Sequence, residues 1–197
     1  MLLANPALLA ALIGMLTTQP VLTGTIEGHI RAPGSKVDLS DFVIFVEDIE
    51  GSFPVPETPA VMEQKELRFV PHVLAIQVGT TVEFPNSDPL SHNVFSISEA
   101  KRFNLGLYAR GVSRRVKFDK PGVVELLCNV HLEMSGYIVV LKNPYFARAG
   151  SDGSFRIADV PAGSYRLRCW HERLPVQERN VEVPKTGIAI VDFLIGR

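Results

Sequence analysis

The chain has 197 residues, 46% hydrophobic and 21% charged, with 20 basic against 21 acidic side chains and a formal net charge of −1. That length holds one large domain or two small ones, and the near-zero balance argues against a dedicated nucleic-acid binder, whose surface is strongly basic. Two cysteines and five histidines exclude a disulfide scaffold, a four-thiolate zinc site and an all-thiolate iron–sulfur cluster, leaving material for one small metal site.

Residues 7–16, from Ala7 to Leu16, form an apolar run of ten. A spanning helix needs about 20 such residues, so the run has the length of a signal-peptide h-region. No Lys or Arg precedes it, and no clean Ala-x-Ala site follows. Residues 1–21 are expected to be a signal peptide or N-terminal anchor. The remainder would then be exported to a bacterial periplasm, or tethered facing it, with membrane contact only through this segment. A buried helix is the competing reading.

The rest of the chain alternates short apolar runs with turn residues, the pattern of an all-β protein. Strands are expected at Thr25–Ile30 and Phe42–Val46, followed by a Pro-rich linker from Phe53 to Pro59. A second series covers Leu67–Val70, Leu74–Val78, Thr81–Phe84, Asn93–Ile97, Val112–Phe118, Val123–Leu127 and Tyr137–Leu141. After Asn143-Pro144 a third series covers Phe155–Ile157, Tyr165–Trp170, Val181–Val183 and Ile188–Leu194. Charge follows these boundaries: residues 21–64 carry a net −6, residues 65–142 a net +3 and residues 143–197 a net +2. A solvated surface is the plain reading of those charges.

The run Cys128-Asn129-Val130-His131-Leu132-Glu133-Met134 lies between two expected strands and places three donors on one loop. Upstream, Ser91-His92-Asn93-Val94 opens another strand after Asn86-Ser87-Asp88-Pro89. Two imidazoles, one thiolate and one thioether make a donor set of mixed softness. Trigonal His2Cys with a long axial Met is the blue-copper arrangement, in which soft sulfur suits Cu(I) and imidazole suits Cu(II). The competing reading makes Cys128 a buried strand cysteine, His131 a loop residue and Met134 core filler. A Cys128–Cys169 disulfide, which an oxidising compartment permits, would consume the thiolate; Cys169 otherwise reads as a small buried hydrophobe.

The segment from Phe69-Val70-Pro71 through Ile76-Gln77-Val78-Gly79-Thr80-Thr81-Val82-Glu83-Phe84-Pro85-Asn86 to His92-Asn93-Val94 resembles the front half of plastocyanin-type cupredoxins. The Cys-x2-His-x2-Met spacing of Cys128, His131 and Met134 is similar to that of amicyanin. The resemblance covers about residues 65–142 and implies a cupredoxin Greek-key β-sandwich with one type 1 copper. His92, Cys128 and His131 would be its strong ligands and Met134 its axial one, and Asn93 would tie the two ligand loops together.

Residues 143–197 resemble a carboxypeptidase regulatory-like (transthyretin-like) β-sandwich, through Ser151-Asp152-Gly153-Ser154-Phe155 and Val160-Pro161-Ala162-Gly163-Ser164-Tyr165. Such modules begin with strands like Thr25–Ile30 and Phe42–Val46, and neither flank alone closes a sandwich without unpaired edges. Residues 22–60 and 144–197 are therefore expected to fold together, with a cupredoxin at 61–143 inserted between them. An N-terminal extension plus an independent C-terminal domain is the alternative.

The combination is similar to bacterial plastocyanin-like or methylamine-utilisation proteins, and it implies a non-enzymatic carrier cycling Cu(II)/Cu(I). The partner would be a protein docking at the His131 edge among Leu132, Leu90 and Pro89, with Lys101, Arg102 and Arg110 steering an acidic surface. Copper handling and a structural or adhesive role are the alternatives. No His-x-His pair exists for a multicopper oxidase centre, and no Gly-x-Ser-x-Gly, His-Glu-x-x-His or P-loop pattern appears. Neither a small-molecule substrate nor a nucleic acid is expected. His72 reads as a packed or hydrogen-bonded residue, His29 as exposed, and His171 as a metal donor only with partners the sequence does not identify.

Overall fold

Short apolar runs punctuated by Gly and Pro fold into strands throughout the computed structural model, which describes residues 21–196. Residues 1–20, on which the export expectation rests, lie outside the described residues. In chain order the strands are β1 (Thr23–Arg31), β2 (Val43–Val46), β3 (Ala60–Val61), β4 (Glu63–Lys65), β5 (Arg68–Val70) and β6 (Val73–Gln77). There follow β7 (Thr81–Pro85), β8 (His92–Ser96), β9 (Phe103–Tyr108), β10 (Ser113–Lys117), β11 (Gly122–Leu127) and β12 (Ser135–Leu141). The last six are β13 (Phe146–Arg148), β14 (Ser154–Pro161), β15 (Gly163–His171), β16 (Leu174–Val183), β17 (Ile188–Ile190) and β18 (Phe193–Leu194). The helical content is one 3-10 turn at Leu39–Asp41, among the described residues. None of their helices is long and apolar enough to cross a membrane.

Pairing sorts these strands into two sandwiches and a separate two-stranded hairpin, β4-β5. Sheets β6-β12-β11-β8-β9 and β10-β7-β3 enclose a core that includes Phe84, Val94, Leu126 and Ile138. Sheets β13-β2-β15-β16 and β14-β1-β17, with β18 also on β1, enclose a second core that includes Ile26, Ile44, Phe155 and Leu167. β1 pairs antiparallel with β14 and β2 with β15, so strands from both ends of the chain share each sheet of the second sandwich. The approach is close at Gly28, where a Cβ would sit 1.8 Å from the Val191 carbonyl oxygen.

The two sandwiches are joined by a third buried cluster. Successive strand residues face opposite sides of a sheet. In β2, Ile44 and Val46 enter the second core while Val43 and Phe45 face outward. In β12, Ile138 and Val140 enter the first core while Tyr137, Val139 and Leu141 face outward. These outward faces meet each other, with Val73, Ala75, Phe146 and Trp170. The result is four sheets in one stack, and it explains why β2 and β12 read as continuous apolar runs: both faces are covered.

Four strands are not evident from the sequence: β3, β4, β9 and β13. β9 is hidden by Gly106, which interrupts its apolar pattern at φ 67 and sits where its pairing with β8 shifts register. β3 and β13 have two and three residues and exist only through pairing with β7 and β2.

Candidate metal centre

Three strand junctions converge at one end of the first sandwich: the β7–β8 loop, the β11–β12 loop and the end of β9. His92 opens β8, so its backbone is fixed by pairing with Tyr108 of β9. Cys128 follows the last residue of β11, whose partner is Ser135 at the start of β12. The loop between them closes on itself where the Met134 amide donates to the His131 carbonyl at 3.0 Å.

This brings His92, Cys128 and His131 together, with one donor atom of each within 4.8 Å of the others. His92 Nδ1 and His131 Nδ1 are 3.0 Å apart, and Cys128 Sγ lies 3.9 Å from His131 Nδ1. Nitrogens at about 2.0 Å and a thiolate at about 2.3 Å from a shared ion lie at such separations from one another, so the donors fit one metal ion. His92 and Cys128 are buried, and His131 is partly exposed. Met134 is buried in the same core cluster as Cys128. The cysteines are free, each buried in a different sandwich core, so no disulfide consumes Cys128.

The loop carrying His92 is shaped by side chains outside the donor motif. Asn86 accepts from the Asp88 amide at 2.9 Å and donates through Nδ2 to the carbonyls of Leu90 at 2.9 Å and Tyr108 at 3.0 Å. Its own amide and carbonyl bond Val112 and Gly111. The Asp88 carboxylate lies 2.7 Å from His92 Nε2. Burial raises the Asp88 carboxyl, but the Leu67 amide, the His92 imidazole and the Glu66 amide outweigh it and hold the group below its ordinary range. The local signal is Asn-x-Asp, the pattern of an Asx turn, with a carboxylate four residues before the histidine.

Beside this loop, Gln64 Nε2 donates to the Tyr108 hydroxyl at 2.5 Å, and that hydroxyl donates to the Phe84 carbonyl at 3.0 Å. Burial pushes the Tyr108 phenol up to about 12, against the Gln64 hydrogen bond and the Arg114 cation.

Asn93 differs from expectation. Its Nδ2 donates to Asn104 Oδ1 of β9 at 2.8 Å, and its Oδ1 is buried without a partner. It ties β8 to β9, while Asn86 organises the ligand-bearing loop.

The surface around His131 is apolar. Leu132 is 89% exposed and Leu90 48% exposed, with Pro89 and Val130 also exposed. Of the three cations expected there, only Arg110 lies at this end, next to the Gly111 amide that donates to the Asn86 carbonyl. Lys101 and Arg102 precede β9 at its far end, and Lys101 pairs with Asp119 at 2.9 Å. Closeness in sequence is misleading here, because β9 carries the chain across the length of the sheet.

The remaining histidines lie elsewhere. His72 Nε2 pairs with Glu172 at 3.3 Å, bridging the two sandwiches. His171 stacks on Phe42 at 4.6 Å and accepts from the Arg173 amide through Nδ1, and His29 is exposed. Among the described residues, the His92, Cys128 and His131 group is the one cluster of metal-ligating side chains.

The model of the copper binding proteins, plastocyanin/azurin family, matches residues 57–141. That span contains the first sandwich and all the donors, so this part of the chain is similar to the copper-binding cupredoxins, and its donor set fits one copper ion. The model of polysaccharide lyase family 4, domain II, matches residues 134–189, which take in β12 of the first sandwich and β13 to β16 of the second. No curated protein matches the chain. Among solved structures, a reduced amicyanin variant matches at 21% identity over 44% of this chain and 85% of its own, with a TM-score of 0.40. A purple cupredoxin from Nitrosopumilus maritimus matches at 28% identity over 41% of this chain and 98% of its own, TM-score 0.38. A copper-containing nitrite reductase from Thermus scotoductus matches at 26% identity over 58% of this chain and 28% of its own, TM-score 0.42. With these scores below 0.5, the copper assignment rests on the family model and the donor geometry.

Proposed function

We propose that the protein is an exported, non-enzymatic electron carrier with one type 1 copper held by His92, Cys128 and His131 and capped by Met134. The observation that carries this reading is the preformed group of two imidazole nitrogens and one thiol on the loops of a rigid sandwich. When bound, the copper supplies a one-electron Cu(II)/Cu(I) couple. The chain's own residues hold the donors in place, so that little atomic movement accompanies a change of charge.

The partly exposed His131 is the electron port, and Leu132, Leu90, Val130 and Pro89 form the apolar surface against which a protein partner docks. Arg110 on the same end, with Lys65 and Arg68 flanking the neighbouring β4–β5 turn, favours an acidic partner whose association weakens as salt rises. Export rests on the apolar run at residues 7–16. The second sandwich, whose Asp152-Gly153 and Pro161-Ala162-Gly163 turns resemble those of a carboxypeptidase regulatory-like module, covers the outer face of β6 and β12 and orients the copper end.

The test is a Cu(II) titration of the full chain read by visible absorption. An intense thiolate-to-copper band with one equivalent supports the reading, and Cys128→Ser abolishes it. Met134→Leu keeps the band and raises the reduction potential, because a weak donor to the oxidised ion is lost. A colourless protein that retains a free Cys128 thiol refutes the site. Rapid loss of copper to a chelator, with no reversible couple, refutes the carrier role in favour of copper handling.

A further inference from the structure

The β4–β5 hairpin is closed by a two-residue turn, Glu66–Leu67, between paired Lys65 and Arg68. Both turn residues are left-handed, at φ 54 and φ 58. This two-residue geometry favours Asn and Gly, and each side chain with a Cβ costs about 1–2 kcal/mol there. The sequence nevertheless places Glu and Leu at the two positions. Something outside the hairpin must hold it.

Asp88 does so from the ligand loop. Its Oδ1 accepts from the Glu66 amide at 2.5 Å, and its Oδ2 accepts from the Leu67 amide at 2.9 Å. The same Oδ2 lies 2.7 Å from Nε2 of His92, which has no exposed surface. A carboxylate can only accept, so all three partners donate. The imidazole proton is thereby held on Nε2, and the Nδ1 lone pair faces His131 Nδ1 and Cys128. Hydrogen bonds to the far ring nitrogen are how proteins fix the tautomer and orientation of a metal-binding histidine.

We propose that Asp88 is the positioning residue of the metal centre and that it couples His92 to the strained Glu66–Leu67 turn. Leu67 is 47% exposed and lines a cleft of about 440 Å³ with Glu133 and Met134 of the other ligand loop. A partner that moves Leu67 therefore acts on His92 through one intervening side chain. The potential readout rests on the copper reading above, whereas the tautomer and stability readouts are made on metal-free protein and stand apart from it.

The test combines Asp88→Ala with a turn that supports itself, Glu66→Asn with Leu67→Gly. Metal-free proteins carrying 15N-histidine report the His92 tautomer by NMR, with His92→Gln as the assignment control. In the parent, His92 carries its proton on Nε2. Asp88→Ala moves a substantial fraction to Nδ1 and, in copper-loaded protein, raises the reduction potential, since a negative charge beside the imidazole is lost. Both changes recur at the same size in the Asn-Gly background. The stability lost on Asp88→Ala, measured by urea unfolding, is at least twofold smaller there, because the turn no longer needs the carboxylate. Should Asp88→Ala not fold with the native turn, the Asn-Gly background supplies the tautomer and potential comparison. Retention of the Nε2 proton, or an unmoved potential, overturns the positioning role. Equal stability losses in the two backgrounds overturn the coupling to the turn. A wild-type chain without the copper band but with an Asp88-dependent tautomer would refute the copper reading alone.

Discussion

Asn86 is the side chain on which the His92 loop is built, and its replacement makes a quantitative prediction. It is 1% exposed and makes three side-chain hydrogen bonds, accepting from the Asp88 amide and donating to the carbonyls of Leu90 and Tyr108. Asn86→Ala removes all three, one from the Asp88 amide and two to the Leu90 and Tyr108 carbonyls. At about 1 kcal/mol net per bond the loss is about 3 kcal/mol, a fall in melting temperature of roughly 6–12 °C for a chain of this size. Asn86→Asp is the sharper test. It keeps the acceptor for Asp88, but it puts a carboxylate oxygen where Nδ2 now faces two carbonyls at 2.9 and 3.0 Å. It is therefore expected to be less stable than Asn86→Ala, despite its closer shape. Urea unfolding of the metal-free proteins by circular dichroism measures the stabilities. The thiolate-to-copper band at limiting copper measures what the loop contributes to the site. An Asp variant as stable as the Ala variant, or an Ala variant within about 0.5 kcal/mol of wild type, would show that these bonds do not hold the loop.

Val139, 3% exposed between the two sandwiches, is expected to cost about 2 kcal/mol on truncation to Ala, from two buried carbons at about 0.8 kcal/mol each plus a small cavity. The single tryptophan, Trp170, packs in the same cluster and reaches Tyr137 with ring centroids 5.9 Å apart. Its fluorescence should therefore change in the same urea transition as the copper band, and two separated transitions would contradict the shared stack. The Tyr108 phenol, raised to about 12, binds its proton more tightly folded than unfolded. Its contribution is complete below pH 10 and is lost as pH rises from about 10 to 12, by roughly 3 kcal/mol. Tyr108→Phe should remove that part of the alkaline destabilisation, and an unchanged profile would refute the assignment. Cys169, whose thiol burial pushes to about 12, should react with thiol reagents at pH 8 only when the second sandwich unfolds; reaction in the native state would contradict its burial.

What the sequence can display is set by distance along the chain. Cys128, His131 and Met134 fall within one short loop, and His92 opens a strand behind a turn-rich run, so donor chemistry and spacing alone expose the group. Asp88 is equally visible as a residue, but its role is not. That role depends on amides of a hairpin 21 and 22 residues earlier, and the hairpin itself is obscure because its turn has neither Asn nor Gly. Asn93 shows the converse failure. A resemblance assigns it to the ligand loops, but the unexpected strand β9 brings Asn104 within its reach. The same strand separates Lys101 and Arg102 from the copper end and leaves Arg110 there.

The apolar runs of β2 and β12 carry one more piece of information than strand identity. A strand with one covered face alternates apolar and polar residues, as β10 does with Arg115 and Lys117 exposed and Val116 turned inward. Val43–Val46 and Tyr137–Leu141 do not alternate, which requires cover on both sides. Each sandwich can cover only its own inner face, so the other faces must meet each other. The contact that results sets the second sandwich against the copper domain, with the His171–Arg173 turn and Glu133–Ser135 lining one cleft. A partner that docks at the copper end, as proposed, would therefore meet a surface to which both sandwiches contribute.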